Sequence, residues 1–175
     1  MSLDPKPVHE SMVEFARVMT VLDANTLGNA HGGVIMREVD NAGGAAASRH
    51  SGGVAVTAAI DELSFRAPVH IGNVLIVKAA VNAVGRTSME VGVRVEAESW
   101  DGKERRHTTT AYLTFVALDE EGCPREVPEL ILETEEEQRR HAQAMIRRQI
   151  RRERIERLGS WRPERELPRD RFGSP

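Results

Sequence analysis

The stretch that most constrains this chain is SMEVGVRVEAE, residues 88–98. Met89, Val91, Val93, Val95 and Ala97 alternate with Glu90, Gly92, Arg94 and Glu96. A period of two places the apolar set on one face of a strand and the polar set on the other, whereas a helix would scatter it. The segment therefore needs a sheet to sit in. WDGKER follows as a hairpin loop with Asp101-Gly102 at its tip, and HTTTAYLTFVAL returns as the next strand. Upstream, SMVEFARVMT, GVAVTAAIDELSF and VLIVKAAVNAV read as strands, with RAPVHIGN and GRTS as breaks. A helix is predicted from Gly33 to about His50. Strands meandering after one early helix predict an α+β fold, an antiparallel sheet with the helix on one face.

That helix contains REVDNAGGAAA, an acid followed by two glycines. Each mid-helix glycine costs about 1 kcal/mol relative to alanine, so close packing or access must offset it. Met36, Asp40, Gly43, Gly44 and Ala47 share one helical face, which the small residues mark as the expected sheet-facing side. A carboxylate drawn there, out of water, becomes a candidate general base. The same spacing equally allows Asp40 a place on the helix edge with a structural hydrogen bond. The loop DANTLGNAHGG ends where the helix begins, and N–H groups at a helix start are unpaired and can stabilise an oxyanion. Gly33 would admit a carbonyl there, and Asn25 could orient a water. Asn and Gly are also ordinary turn formers, and His31 reads as a structural loop residue.

Other chemistries find less support. The 24 basic and 27 acidic residues nearly cancel, so no overall field points to nucleic acid or membrane. The lone Cys123 sits in a predicted turn and fits a reducing compartment. No apolar run approaches a signal peptide or membrane span, so a cytoplasmic location is expected. Metal-ligand spacings, a nucleophile elbow and a Walker loop are all lacking. Thr134 and Glu137 form a capping-box pattern that opens a second helix. Ala142, Met145, Ile146, Ile150 and Leu158 make its thin apolar stripe, Gly159 stops it, and a loose Pro- and Arg-rich remainder is expected. RNA binding through this basic tail lacks aromatic platforms.

The stretches DANTLGNAHGGVIMREVDNAGGAAASRH, AVTAAIDELSFRAPVHIGN, GRTSMEVGV and VPELILETEEEQRRH together resemble the cytosolic, or brain-type, acyl-CoA thioesterases of the hotdog fold. The resemblance runs from about residue 10 to 145. It implies an antiparallel sheet wrapped around a long central helix over residues 10–128, with residues 129–175 as a C-terminal Arg-rich helix and tail. It implies edge-to-edge dimers, assembled as a trimer of dimers, with active sites at the interface. Asn25 and Asp40 match the catalytic pair, contributed by opposite subunits, and Gly33 matches the backbone oxyanion donor. Ala58, Ala59 and Ile60, with Thr87, Ser88 and Met89, match stretches lining coenzyme A; Arg86 is a further guess for phosphate, from charge. The implied reaction is hydrolysis of acyl-CoA to acid and coenzyme A, by activated water or by a transient Asp40 anhydride. It calls for no metal or other cofactor, coenzyme A being part of substrate and product. A non-catalytic acyl-CoA sensor is the alternative.

Overall fold

The computed structural model describes residues 3–159. A short β1 (Lys6–Pro7) pairs in parallel with β7 (Leu130–Ile131). The five remaining strands are β2 (Val13–Val18), β3 (Ala55–Phe65), β4 (Val74–Val84), β5 (Ser88–Glu98) and β6 (Arg105–Ala117). They form one antiparallel sheet in the order β2-β4-β5-β6-β3. The alternation in β5 does what its period requires: Met89, Val91, Val93, Val95 and Ala97 are all buried in the core.

Helix α1 (Gly32–Ser51) packs against β2 to β6 on the inner face. Its sheet-facing residues are Ile35, Val39, Ala42, Gly43, Ala46 and Ala47. The expected face is thus rotated: Gly43 and Ala47 lie in it, but Met36 is 42% exposed and Asp40 sits on the flank, half-buried. The larger Ile35 and Val39 bury more apolar area than a stripe containing a carboxylate, so they set the rotation. A Cβ on Gly43 would come within 2.9 Å of the Phe115 ring, so glycine permits the close approach of helix and sheet. Gly52 ends the helix in the left-handed conformation, at φ 73°.

Helix α2 (Glu135–Arg157) opens with the expected box, Glu137 N–H donating to Thr134 Oγ1 while Glu137 Oε2 accepts from Thr134 N–H. Arg139, then Arg140, hold the Glu136 carboxyl down at about 2. The helix lies against the outer sheet face, opposite α1, and its docking face is polar. His141 Nδ1 is 3.1 Å from the Asn82 carbonyl, and Arg147 donates to Glu90 at 2.6 Å with its guanidinium 3.6 Å above the Tyr112 ring. Arg151 pairs with Asp61. The expected apolar stripe points away: Met145, Ile146 and Ile150 are 43%, 60% and 58% exposed. The reason is the sheet, whose outer face offers Glu90, Asp61 and Tyr112 rather than apolar side chains. The remainder expected to be loose lies outside the described residues. Among the described residues, no helix is long and apolar enough to cross a membrane.

Candidate active site

The loop before α1 is moored by a buried ionic cluster. Asp23 accepts from Thr20 N–H at 2.8 Å, from Thr20 Oγ1 at 2.9 Å and from Arg17 at 2.6 Å. The Thr20 N–H above all holds the Asp23 carboxyl below its ordinary range, with the Thr20 hydroxyl and Arg17 adding to it, against the opposing effect of burial. The same Arg17 donates to Glu38 of α1 at 2.7 Å, tying β2, the loop and the helix together. Neither Arg17, Asp23 nor Glu38 was expected to matter; a buried acid beside the candidate Asn was the available hint.

Within the loop, Asn25 Oδ1 accepts the N–H groups of Leu27 and Asn29 at 2.9 and 3.1 Å. Its acceptor is spent on the turn, and what it can offer a ligand is the Nδ2 donor. Gly33 N–H is not idle either: it donates to His31 Nδ1 at 2.9 Å, so His31 is the N-cap of α1. Asn25, Asn29, Gly32, Ile35, Phe65 and Arg66 line a cleft of about 380 Å³.

Asp40 lies elsewhere. Its Oδ1 accepts from Thr57 Oγ1 at 2.5 Å, near the start of β3, while the Asn25 cleft adjoins Phe65 at the end of β3. Those two points are eight residues, about 26 Å, apart along the strand. A single chain therefore does not unite Asn25 and Asp40. Thr57 escaped the sequence reasoning; the signal was a hydroxyl on the inward row of β3, where Ala55, Ile60 and Leu63 are apolar.

Among the described residues β3 is an edge strand, with β6 on one side and no strand on the other. Ala58 is exposed, Ala59 is half-buried and Ile60 is 43% exposed along it. Thr87 and Ser88 are half-buried two strands away, Ser88 facing Val116 and Val116 facing Val56. Met89 differs: it is 1% exposed and belongs to the core, between β4 and β6. Arg86 is open to solvent beside Glu126. A second cleft, about 260 Å³, lies under α2 on the outer face, lined by Lys78, Arg94, Tyr112, Arg140 and Arg147, away from both Asn25 and Asp40. Among the described residues, no group of three His, Cys, Asp or Glu side chains is placed to hold a metal ion.

Residues 27–100 match the thioesterase superfamily model. An uncharacterized acyl-CoA thioester hydrolase of Bacillus subtilis is 38% identical over 136 residues, 78% of each chain. The chain belongs to the acyl-CoA thioesterase family. Mouse acyl-coenzyme A thioesterase 11 is 37% identical over 146 residues, 83% of this chain but only 25% of that longer protein, so the chain spans about a quarter of it. Among solved structures, an apo-hexameric acyl-CoA thioesterase superposes with a TM-score of 0.84 at 36% identity, covering 87% of this chain and 97% of that one. The Staphylococcus aureus acyl-CoA hydrolase, solved with butyryl coenzyme A, coenzyme A and coenzyme A disulfide, gives 0.80 at 32% identity, over 85% and 91%. Variants of that enzyme replace an aspartate, an asparagine or a threonine by alanine. The family's hotdog fold is the α+β architecture described above: a five-stranded antiparallel sheet with α1 across its inner face.

Proposed function

We propose that this chain hydrolyses acyl-CoA thioesters to free carboxylic acid and coenzyme A, with Asp40 of one subunit and Asn25 of another completing each site. One observation carries the reading: Asp40 and Asn25 lie at opposite ends of the same unpaired edge strand. Antiparallel pairing of two β3 edges about a two-fold axis brings the Thr57 end of one toward the Phe65 end of the other. Each Asp40 then approaches the second copy's Asn25, and a dimer holds two sites. Val56, Ile60 and Phe65, exposed at 43%, 43% and 49%, are the apolar residues such pairing would cover.

In this site Asp40 takes a proton from water as the water oxygen attacks the thioester carbonyl carbon. Thr57 holds Oδ1, which orients the carboxylate and leaves Oδ2 for the water. Asn25 Nδ2, a donor only, holds the water through its oxygen. The carbonyl oxygen, gaining negative charge, takes the Gly33 N–H in place of His31. Collapse breaks the C–S bond, and the coenzyme A thiolate takes up the proton that Asp40 had received, which regenerates the carboxylate. With the open edge of β3 taken up by the second copy, coenzyme A runs past Ala58, Ala59 and Ile60 at the seam of the pair, with Thr87 and Ser88 nearby. The substitutions made in the Staphylococcus aureus enzyme, an aspartate, an asparagine and a threonine, are of the residue types that Asp40, Asn25 and Thr57 supply. The hexameric neighbour supports a trimer of dimers, and we place the enzyme in the cytoplasm, where the lone Cys123 stays reduced. Residues 10–128 are the catalytic domain in this reading, and residues 129–175 an extension.

Asp40→Asn should lower turnover of acyl-CoA about 10³-fold, read as release of free thiol, with the fold intact. Mixing Asp40→Asn with Asn25→Ala chains should restore roughly a quarter of parental activity after random exchange, since only one site of each hybrid pair is whole. Near-normal turnover by Asp40→Asn, or no rescue after demonstrated subunit exchange, overturns the proposal.

A further inference from the structure

The docking face of α2 continues past the point where the sheet ends. Ala144, Arg147, Arg151, Ile155 and Leu158 fall at i, i+3, i+7, i+11 and i+14, one line along the helix. The first three meet the outer sheet face, Ala144 by burial, Arg147 on Glu90 and Arg151 on Asp61. The sheet residues beneath also form one row, nearly perpendicular to the strands. Glu90 of β5 faces Ala83 of β4 and Thr114 of β6, and Thr114 faces Ala59 and lies 3.5 Å from Asp61 on β3.

This row makes the helix a ruler. His141 stands over Asn82 of β4 and Arg151 over Asp61 of β3. Ten residues of helix advance about 15 Å, and the three strand steps from β4 through β5 and β6 to β3 amount to about 14 Å. α2 therefore crosses one strand for about every three residues. The next strand position falls under residues 154–155 and the one after under 157–158. Among the described residues of the single chain nothing lies there, because β3 is the edge. Ile155 and Leu158, the residues on the docking line at those two positions, are 58% and 74% exposed. Their neighbours Arg152, Glu153, Arg154, Glu156 and Arg157 are all charged.

We infer that the last two turns of α2 are a strap that docks on a second copy of this chain, Ile155 and Leu158 packing over the strands that continue the sheet beyond β3. The inference rests on the edge-pair reading proposed above, in which a second β3 supplies strands at that spacing. A docking line that is ionic over its own subunit and apolar beyond the edge suits a helix that holds itself by Arg147 and Arg151 and grips its neighbour by burial. The strap thus joins α2 to the stability of the paired state, and through it to the shared sites.

The test uses the full-length chain. Ile155→Asp/Leu158→Asp and its parent are compared by sedimentation velocity over a dilution series, with circular dichroism to follow helix content. The dissociation constant of the pair should rise about 30-fold with helix content unchanged, whereas a constant within about two-fold of the parent overturns the strap. A second measurement is independent of helix damage. Ile155→Cys, in a Cys123→Ser chain, is labelled with a benzophenone maleimide, mixed with isotopically heavy chain and irradiated. Cross-linked peptides of mixed isotope support the strap, and links confined to the labelled chain itself overturn it. A parent that sediments as a monomer at every concentration sinks the edge-pair reading as well; an oligomeric parent with an unaffected variant sinks the strap alone.

Discussion

The two helices, 20 and 23 residues long, face one sheet from opposite sides and attach by opposite chemistry. α1 lays Ile35, Val39, Ala42 and Gly43 on an inner face built of Val93, Leu113 and Phe115, and its charged residues look outward or sideways. α2 lays arginines on an outer face bearing Glu90, Tyr112 and Asp61, and turns Met145, Ile146 and Ile150 to solvent. Apolar periodicity shows which side of a helix is apolar; the partner surface decides which side docks.

The comparison breaks first at its tightest point. Gly43→Leu forces a side chain into the Phe115 ring, and overpacking there should cost at least about 3 kcal/mol, a fall of about 10 °C in melting temperature. An unchanged melting temperature would mean that α1 does not rest on Phe115. On the other side, Arg147→Met should cost about 2 kcal/mol in denaturant titration, because Glu90 is left buried without its cation. Adding Glu90→Leu should bring stability back to within about 1 kcal/mol of the parent, showing that the ionic attachment is replaceable by an apolar one.

Acid titration sharpens the contrast through His50, which ends α1 fully buried with Ser11 Oγ and the Pro128 carbonyl around its ring. Burial, with a smaller contribution from Lys6, pushes this imidazole below 6.5. The unfolded chain therefore binds the proton first: the stability is whole above pH 6.5 and is lost as the pH falls below it, at up to about 1.4 kcal/mol per pH unit. Unfolding free energies measured from pH 7 to 5 should show this slope, and His50→Gln should flatten it. The smallest effect belongs to α2: Thr134→Ala removes its cap, at a cost of about 1 kcal/mol, visible as faster amide exchange in the first turn of α2.

β5 was legible because a two-residue period admits one reading, and β4 because a short, largely apolar run lies between two breaks; both begin and end where those stretches do. The first helix was legible in extent, but its docking face was misplaced, since Gly43 and Ala47 fit both the expected face and the observed one. The separation of the two candidate residues was implied by the resemblance, which assigns them to opposite subunits, and not by their spacing. Asn25 and Asp40 stand fifteen positions apart in sequence, yet α1 carries Asp40 to one end of β3 while the Arg17 cluster holds Asn25 at the other. Thr57 meets Asp40 only through tertiary proximity, which no local pattern encodes, whereas His31 caps a residue two positions on, a local contact that the turn-forming loop did not single out. The outward stripe of α2 could not be foreseen without knowing that Glu90 and Asp61 lie beneath.

In the proposed reaction, the imidazole that caps Gly33 makes the donor for the thioester oxygen a contested seat. A visiting carbonyl must evict a nitrogen tethered only two positions away, and a loosely held molecule loses that contest. A substrate held along its length at the seam of the pair can win it, so small esters lacking the long coenzyme handle should find the seat taken.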